Sequence, residues 1–156
     1  YGGIFENRIR LLLKVVDAVK SVWPHDLPIF VRISASDWVE EGWKAEDSVK
    51  LAEILKNKGV DLIDCSSGGM VPYEKVKTGP GYQVPFSEAV KTTGILTSAV
   101  GMITNAQQAE EILESGKADL IFLARQFLRD PYFPLHAAKE LGAEIKWPMQ
   151  YERAKL

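Results

Sequence analysis

Three residues in this sequence have types and positions that could do chemistry: Arg32, Gly101 and Arg125. Gly101 and Arg125 each follow a short apolar run, Ile95–Val100 and Ala118–Ala124, too brief for a helix. A glycine at a strand end lets backbone N–H groups come close to a ligand. A following helix N-terminus adds partial positive charge, and an arginine at the next strand end offers a forked, permanently charged donor. Together they suit a phosphate. The same spacing also fits a plain turn at Gly101 and a helix-capping role for Arg125. Arg32 stands inside a third apolar run, Ile29-Phe30-Val31-Arg32-Ile33. A charge in a strand covered on both sides must point to a polar centre or pair with a carboxylate such as Asp64.

The elements that hold Gly101 and Arg125 form one strand–helix–strand unit. Asn105-Ala-Gln-Gln108 has the spacing of a capping box, and a helix is expected over Ala106–Ser115. Its apolar Ala109, Ile112 and Leu113 share one face, Glu110, Glu111 and Glu114 face water, and Gly116 is placed to close it in a left-handed cap. Two near-continuous apolar strands joined by one helix must run parallel and be covered on both faces. Gly101 and Arg125 are therefore expected at the same end of a sheet.

The rest of the chain continues this alternation. A helix is predicted over Glu6–Trp23, a strand over Pro28–Ser34, a helix over Ala45–Lys58 closed by Gly59, and a strand over Val60–Cys65. Ser66-Ser67-Gly68-Gly69 opens a long loop to Pro85, followed by a short helix Phe86–Thr92; after the unit just described come a helix Tyr132–Leu141 and a proline-broken tail Trp147–Leu156. One domain over 1–146 with a tail over 147–156 is the expected organisation. Ile54-Leu55 followed by Asp61-Leu62-Ile63 recurs as Ile112-Leu113 followed by Asp119-Leu120-Ile121, a trace of internal repetition. Four parallel strands fit half of a (β/α)8 barrel or a small doubly wound sheet. No Gly-x-Gly-x-x-Gly follows a strand, which favours the half-barrel, and there the two turns would follow the last two strands, a common phosphate site.

At 156 residues, 46% hydrophobic and 26% charged with net charge -2, the chain can bury one core under an ordinary surface. Nothing in that balance suggests a nucleic-acid partner. No apolar stretch reaches the ~20 residues a membrane span needs, and no signal segment opens the chain, so a cytoplasmic protein is expected. The start at Tyr1 rather than methionine suggests a natural N-terminus elsewhere. Cys65 is a lone cysteine and reads as a small buried residue. His25 and His136 have no second ligand nearby in sequence, so no metal site is expected. Trp38 and Trp43 flank Glu40-Glu41-Gly42 on a strand-to-helix loop, where they either line a substrate mouth or pack the loop down.

Taken in order, several motifs together closely resemble the C-terminal half of the Old Yellow Enzyme family, in its bacterial NADPH dehydrogenase branch. They are Tyr1-Gly2-Gly3, Glu6-Asn7-Arg8, Phe30-Val31-Arg32-Ile33-Ser34-Ala35, Asp61-Leu62-Ile63-Asp64-Cys65-Ser66-Ser67-Gly68, Pro80-Gly81-Tyr82-Gln83-Val84, Val100-Gly101-Met102-Ile103-Thr104 and Arg125-Gln126-Phe127-Leu128-Arg129-Asp130-Pro131. The resemblance covers essentially the whole chain. It implies an FMN-dependent ene-reductase on a TIM barrel, with NAD(P)H as reductant and an activated alkene or quinone-like acceptor, this chain supplying the fifth to eighth strands.

By that resemblance Arg32 lies beside the flavin ring, where a cation favours the reduced anion. Gly101 with Met102, and Ala124 with Arg125, match phosphate-binding turns; Ser66, Ser67 and Gly68 lie towards the ribityl chain. Arg153 matches an arginine extended from the tail into a neighbouring subunit's site, which implies a homo-oligomer. Two departures stand out: Ile4 replaces a usual serine, and Ala124 a usual glycine. The family's hydride-handling tyrosine, histidine pair and flavin-tuning cysteine belong to the first four strands, so no catalytic residue is assigned here. The competing expectation is a catalytically incomplete half-barrel that binds phosphate or FMN at most and self-associates, or pairs with a missing N-terminal half-barrel. Both of its edge strands are expected to be long and apolar.

Overall fold

Strand order separates the two architectures that the sequence leaves open. In the computed structural model, which describes residues 1–155, four strands form one sheet: β1 (Phe30–Ser34), β2 (Leu62–Ser66), β3 (Leu96–Val100) and β4 (Leu120–Phe122). They pair in parallel in the order β1-β2-β3-β4. A doubly wound sheet reverses direction at a switch point, whereas a barrel lays its strands down in sequence order. The sheet is half of a (β/α)8 barrel. The tail extends to Leu156, which lies outside the described residues.

Helices α1 (Phe5–Lys20), α2 (Ala45–Asn57), α3 (Val84–Lys91), α4 (Ala106–Glu114) and α6 (Phe133–Glu140) fall close to their predicted places. Helix α1 stops short of Trp23, in a turn where the Trp23 amide donates to the Val19 carbonyl, because Pro24 disfavours helical geometry in the residue before it. The Asn105 side chain accepts from the Gln108 amide as expected, but the Gln108 carboxamide reaches back to Thr104 rather than to Asn105. Two pieces are additional: α5 (Arg125–Arg129) and a 3-10 turn, Met149–Ala154. No helix among the described residues is long and apolar enough to cross a membrane.

Alternation sorts each strand's side chains to two faces. Val31, Ile33, Ile63 and Cys65 pack with Ile9, Val16, Leu51, Ala52, Leu55 and Val90 in the main core, and Ala99, Ile103, Ile112 and Ala118 make a second under α4. The opposite face carries Phe30, Leu62 and Leu96 at one level and Arg32, Asp64, Ser98 and Leu120 at the next. Phe30 and Leu96 are 48% and 53% exposed there, and Leu120 is 42% exposed. The edges differ from expectation. β1 has five residues and β4 only three, so the fourth edge is not a long one. Past Phe122 the backbone turns away, with Ala124 at φ -112, ψ -86, outside both regular regions.

The internal repeat has a physical meaning. The Asp61 amide donates to the Ile29 carbonyl while its carboxylate accepts from the Ile29 amide at 2.7 Å; Asp119 does the same with Thr97, at 2.9 Å to the carboxylate. Each aspartate extends the ladder by one step at the start of a strand, at the end away from Gly101. Burial pushes the Asp119 carboxyl up, but hydrogen bonds from Lys91 and Thr97 and the Lys91 charge outweigh it and hold the group below its ordinary value. A depressed carboxyl contributes stability above its unfolded pKa and loses it as pH falls through the folded one. Asp119→Asn should therefore lower the urea midpoint near pH 7 by an amount corresponding to about 1 kcal/mol, with the gap to wild type closing as pH falls through and below the ordinary carboxylate range. Equal gaps above and below that range would contradict this.

Candidate functional site

Because all four strands point one way, the β2, β3 and β4 turns gather at one end. The β3 turn is built around Gly101 at φ +117 and Met102 at φ +52. A side chain at 101 would place its Cβ 2.6 Å from the Gln83 carboxamide nitrogen, so both backbone angle and space call for glycine. Gln83 is buried and spans two strand ends: its Nε2 donates to the Val100 carbonyl at 2.8 Å and its Oε1 accepts from the Ser67 hydroxyl at 2.8 Å. The Gly81 amide donates to the Gly101 carbonyl, and Gln108 Nε2 to the Met102 carbonyl. The turn is held from both sides.

Beside it opens a cavity of about 310 Å³, onto which Gly101, Met102, Thr104, Ala124, Arg125 and Arg32 all face. Tyr82, Gln83, Gln126 and Arg129 also line it, and no carboxylate does. Among the described residues neither Arg125 nor Arg129 has an ion-pair partner. Three guanidinium groups around one opening, two of them without counter-ions, form a donor set suited to a dianion. Arg129 was not singled out by sequence. Its signal was the spacing from Arg125, four residues along α5, which puts both on one helical face.

Other predicted residues lie elsewhere. Ser66, Ser67 and Gly68 do not line the cavity, and Ser67 meets its wall only through Gln83. The Ser66 hydroxyl donates to the Ile33 carbonyl, Ser67 to Gln83, and the Gly68 carbonyl accepts from Ser34. Arg153 sits exposed on the tail turn, apart from the cavity. Trp38 packs against Phe86, edge-on at 5.6 Å; Trp43 stacks on Phe5 at 5.8 Å and donates to Ser48, and also lines a second cavity with Ser34 and Asp37. Cys65 is fully buried, and burial together with the Asp64 charge pushes its thiol to about 12, which leaves no thiolate at neutral pH. A cavity of about 330 Å³ opens at the other end of the sheet, lined by Lys20, Trp23, His25 and Asp61. It is less suited to a ligand, since Lys20 is spent on the Lys58 carbonyl and Asp61 on Ile29.

Comparison with known proteins agrees with the fold. The NADH:flavin oxidoreductase / NADH oxidase family matches residues 1–144. The chain belongs to that family. An NADPH dehydrogenase of Geobacillus sp. (strain WCH70) is 56% identical over 154 residues, covering 98% of this chain and 44% of the relative. The NADPH dehydrogenase of Bacillus subtilis (strain 168) is 51% identical, with 98% and 45% covered. Among solved structures, morphinone reductase superposes with a TM-score of 0.66 at 23% identity, over 95% of this chain and 38% of that one. The chain thus spans less than half the length of these relatives, and the half-barrel and Old Yellow Enzyme expectations hold.

Substitution at Gly101 should show how tightly the turn is built. Gly101→Ala is expected to cost about 1–3 kcal/mol, from a strained φ and a displaced Gln83. A change below about 0.5 kcal/mol in denaturant melts would show the turn to be loose.

Proposed function

We propose that this chain is the FMN-phosphate-holding half of an NAD(P)H oxidoreductase of the ene-reductase type. The acceptor class is an activated alkene or a quinone-like molecule, and the setting is the cytoplasm. The observation that carries the proposal is the acid-free cavity that joins the Gly101 turn to Arg32, Arg125 and Arg129. The chemistry that bound FMN would supply is hydride transfer between NAD(P)H and the acceptor. The chain's own residues bind and orient. Arg125 and Arg129 offer charge-assisted donors to the phosphate, the left-handed Gly101-Met102 backbone lets the chain approach it closely, and Arg32 places a permanent cation where the ring's developing negative charge would sit. Arg32 cannot deliver a proton at neutral pH. Proton transfer and substrate polarisation are therefore assigned to side chains outside this half, and the chain alone is expected to give no turnover above free FMN.

Each charge-assisted bond to phosphate contributes roughly 1.5–3 kcal/mol. In the complete enzyme Arg125→Ala should weaken FMN binding by about tenfold or more, read from fluorescence titration. An unchanged dissociation constant would remove Arg125 from the site.

A second reading concerns the chain by itself, and the half-exposed Phe30, Leu96 and Leu120 on the barrel-interior face favour it. With that face and the β1 edge uncovered, the isolated chain is expected to self-associate, each copy covering the other's open face. Light scattering coupled to size exclusion at micromolar concentration should give a mass of two or more chains. A well-folded monomer would refute this.

A further inference from the structure

Arg32 lines the cavity, but the residue that fixes it does not. Asp64 is 2% exposed and sits one strand over, in register with Arg32 on one side and Ser98 on the other. Its Oδ2 accepts from Arg32 Nη1 at 2.8 Å, and its Oδ1 accepts from the Ser98 hydroxyl at 2.7 Å. Three neighbouring strands thus meet in one hydrogen-bonded row, and both carboxylate oxygens are occupied. The Arg32 side chain stays 57% exposed, and one of its five N–H donors is used here, which leaves the others for the cavity.

Stability alone does not call for this arrangement. Burying a carboxylate carries a desolvation penalty that its partner at best offsets, and an apolar residue would fill the same place, as Leu62 does two residues earlier on the same face. What the row achieves is to hold a long, flexible arginine in one place while setting a negative charge behind it. We propose that Asp64, itself held by Ser98, is the positioning residue for Arg32: it fixes the guanidinium at the cavity wall and moderates the positive charge that the bound flavin meets. This rests on the assignment of Arg32 beside the flavin ring.

Two consequences follow from the charges. Removing Arg32's charge should weaken the reduced, anionic flavin relative to the oxidised one. Removing Asp64's charge while keeping its shape should do the opposite, because the cation is then less compensated. The effects should also be non-additive, since Asp64 acts through Arg32.

The test uses the complete, FMN-loaded enzyme and three variants: Asp64→Asn, Arg32→Gln and the double variant. Asp64→Asn is expected to raise the ratio of reduced to oxidised FMN affinity about tenfold, an upward shift of about 30 mV in the two-electron midpoint potential. Arg32→Gln should lower that ratio. The double variant should depart from the sum of the two by at least about threefold. An unmoved potential in Asp64→Asn, or strict additivity, would overturn the proposal and leave Asp64 a packing residue. The anchoring is read separately from the Arg32 Nε–Hε resonance, which should be sharp in the wild type and exchange-broadened in Asp64→Ala; equal sharpness would overturn it. Should Asp64→Ala not fold, Asp64→Leu, which fills the place without offering an acceptor, carries the same comparison. If Arg32→Gln alone leaves the potential unchanged, the placement beside the flavin fails, while the resonance still decides whether Asp64 anchors Arg32.

Discussion

Parallel strands laid down in sequence order leave no choice about where their turns go. Every strand exits at the same end, and every helix must carry the chain back to the other before the next strand begins. From this one constraint the two ends of the sheet acquire different work. At the start of the strands Asp61 and Asp119 extend the ladder, and Lys91 reinforces Asp119, all of which holds the sheet together. At the other end the Gly101 turn, Arg125 and Arg129 surround a cavity and spend no carboxylate on one another.

The polar groups are distributed accordingly. Arg32 and Asp64 are the exceptions within the described strands, charges at mid-strand, and they are tolerated because they pair with each other and Ser98 completes the row across three strands. The Gln83 carboxamide performs a similar bridging task one level up, between the Ser67 turn and the Val100 carbonyl. One bridge ties the middles of three strands and the other ties two strand ends beside the cavity, whose lining includes no acid. Arg32 and Gln83 are thereby held in place, and donors held in this way lose little ordering entropy when they bind.

Much of this was legible in the sequence because it is local. Gly101, Gly59 and Gly116 mark left-handed turns, the apolar periods mark α1 to α4, and the position of Arg32 within an apolar run announced a partner, with Asp64 among the candidates. What sequence left open depends on contacts between distant segments. The choice between barrel and doubly wound sheet is a matter of strand neighbours, which no single strand encodes. The shortness of β4 follows from the backbone turning at Ala124, and α5 is too short for periodicity to reveal, which is why Arg129 was missed. Trp38 and Trp43 suited a substrate mouth as well as a packed loop, and their contacts with Phe5, Phe86 and Ser48 join segments far apart in sequence. Ser66, Ser67 and Gly68 carry the right residue types at a strand end, yet their polar atoms face neighbouring strand ends and Gln83 rather than the cavity.

The exposed face of the sheet belongs to the same picture. Phe30 and Leu96 stand at the level where a closed barrel is filled by side chains from alternate strands, and here only half of those strands are present. The relatives are more than twice as long as this chain. The most direct test is a crystal structure of the complete enzyme with FMN bound. The phosphate should lie within hydrogen-bond distance of the Gly101–Met102 backbone and of Arg125, with the ring edge against Arg32; a phosphate bound away from that turn, with Arg125 and Arg129 left free, would contradict the assignment.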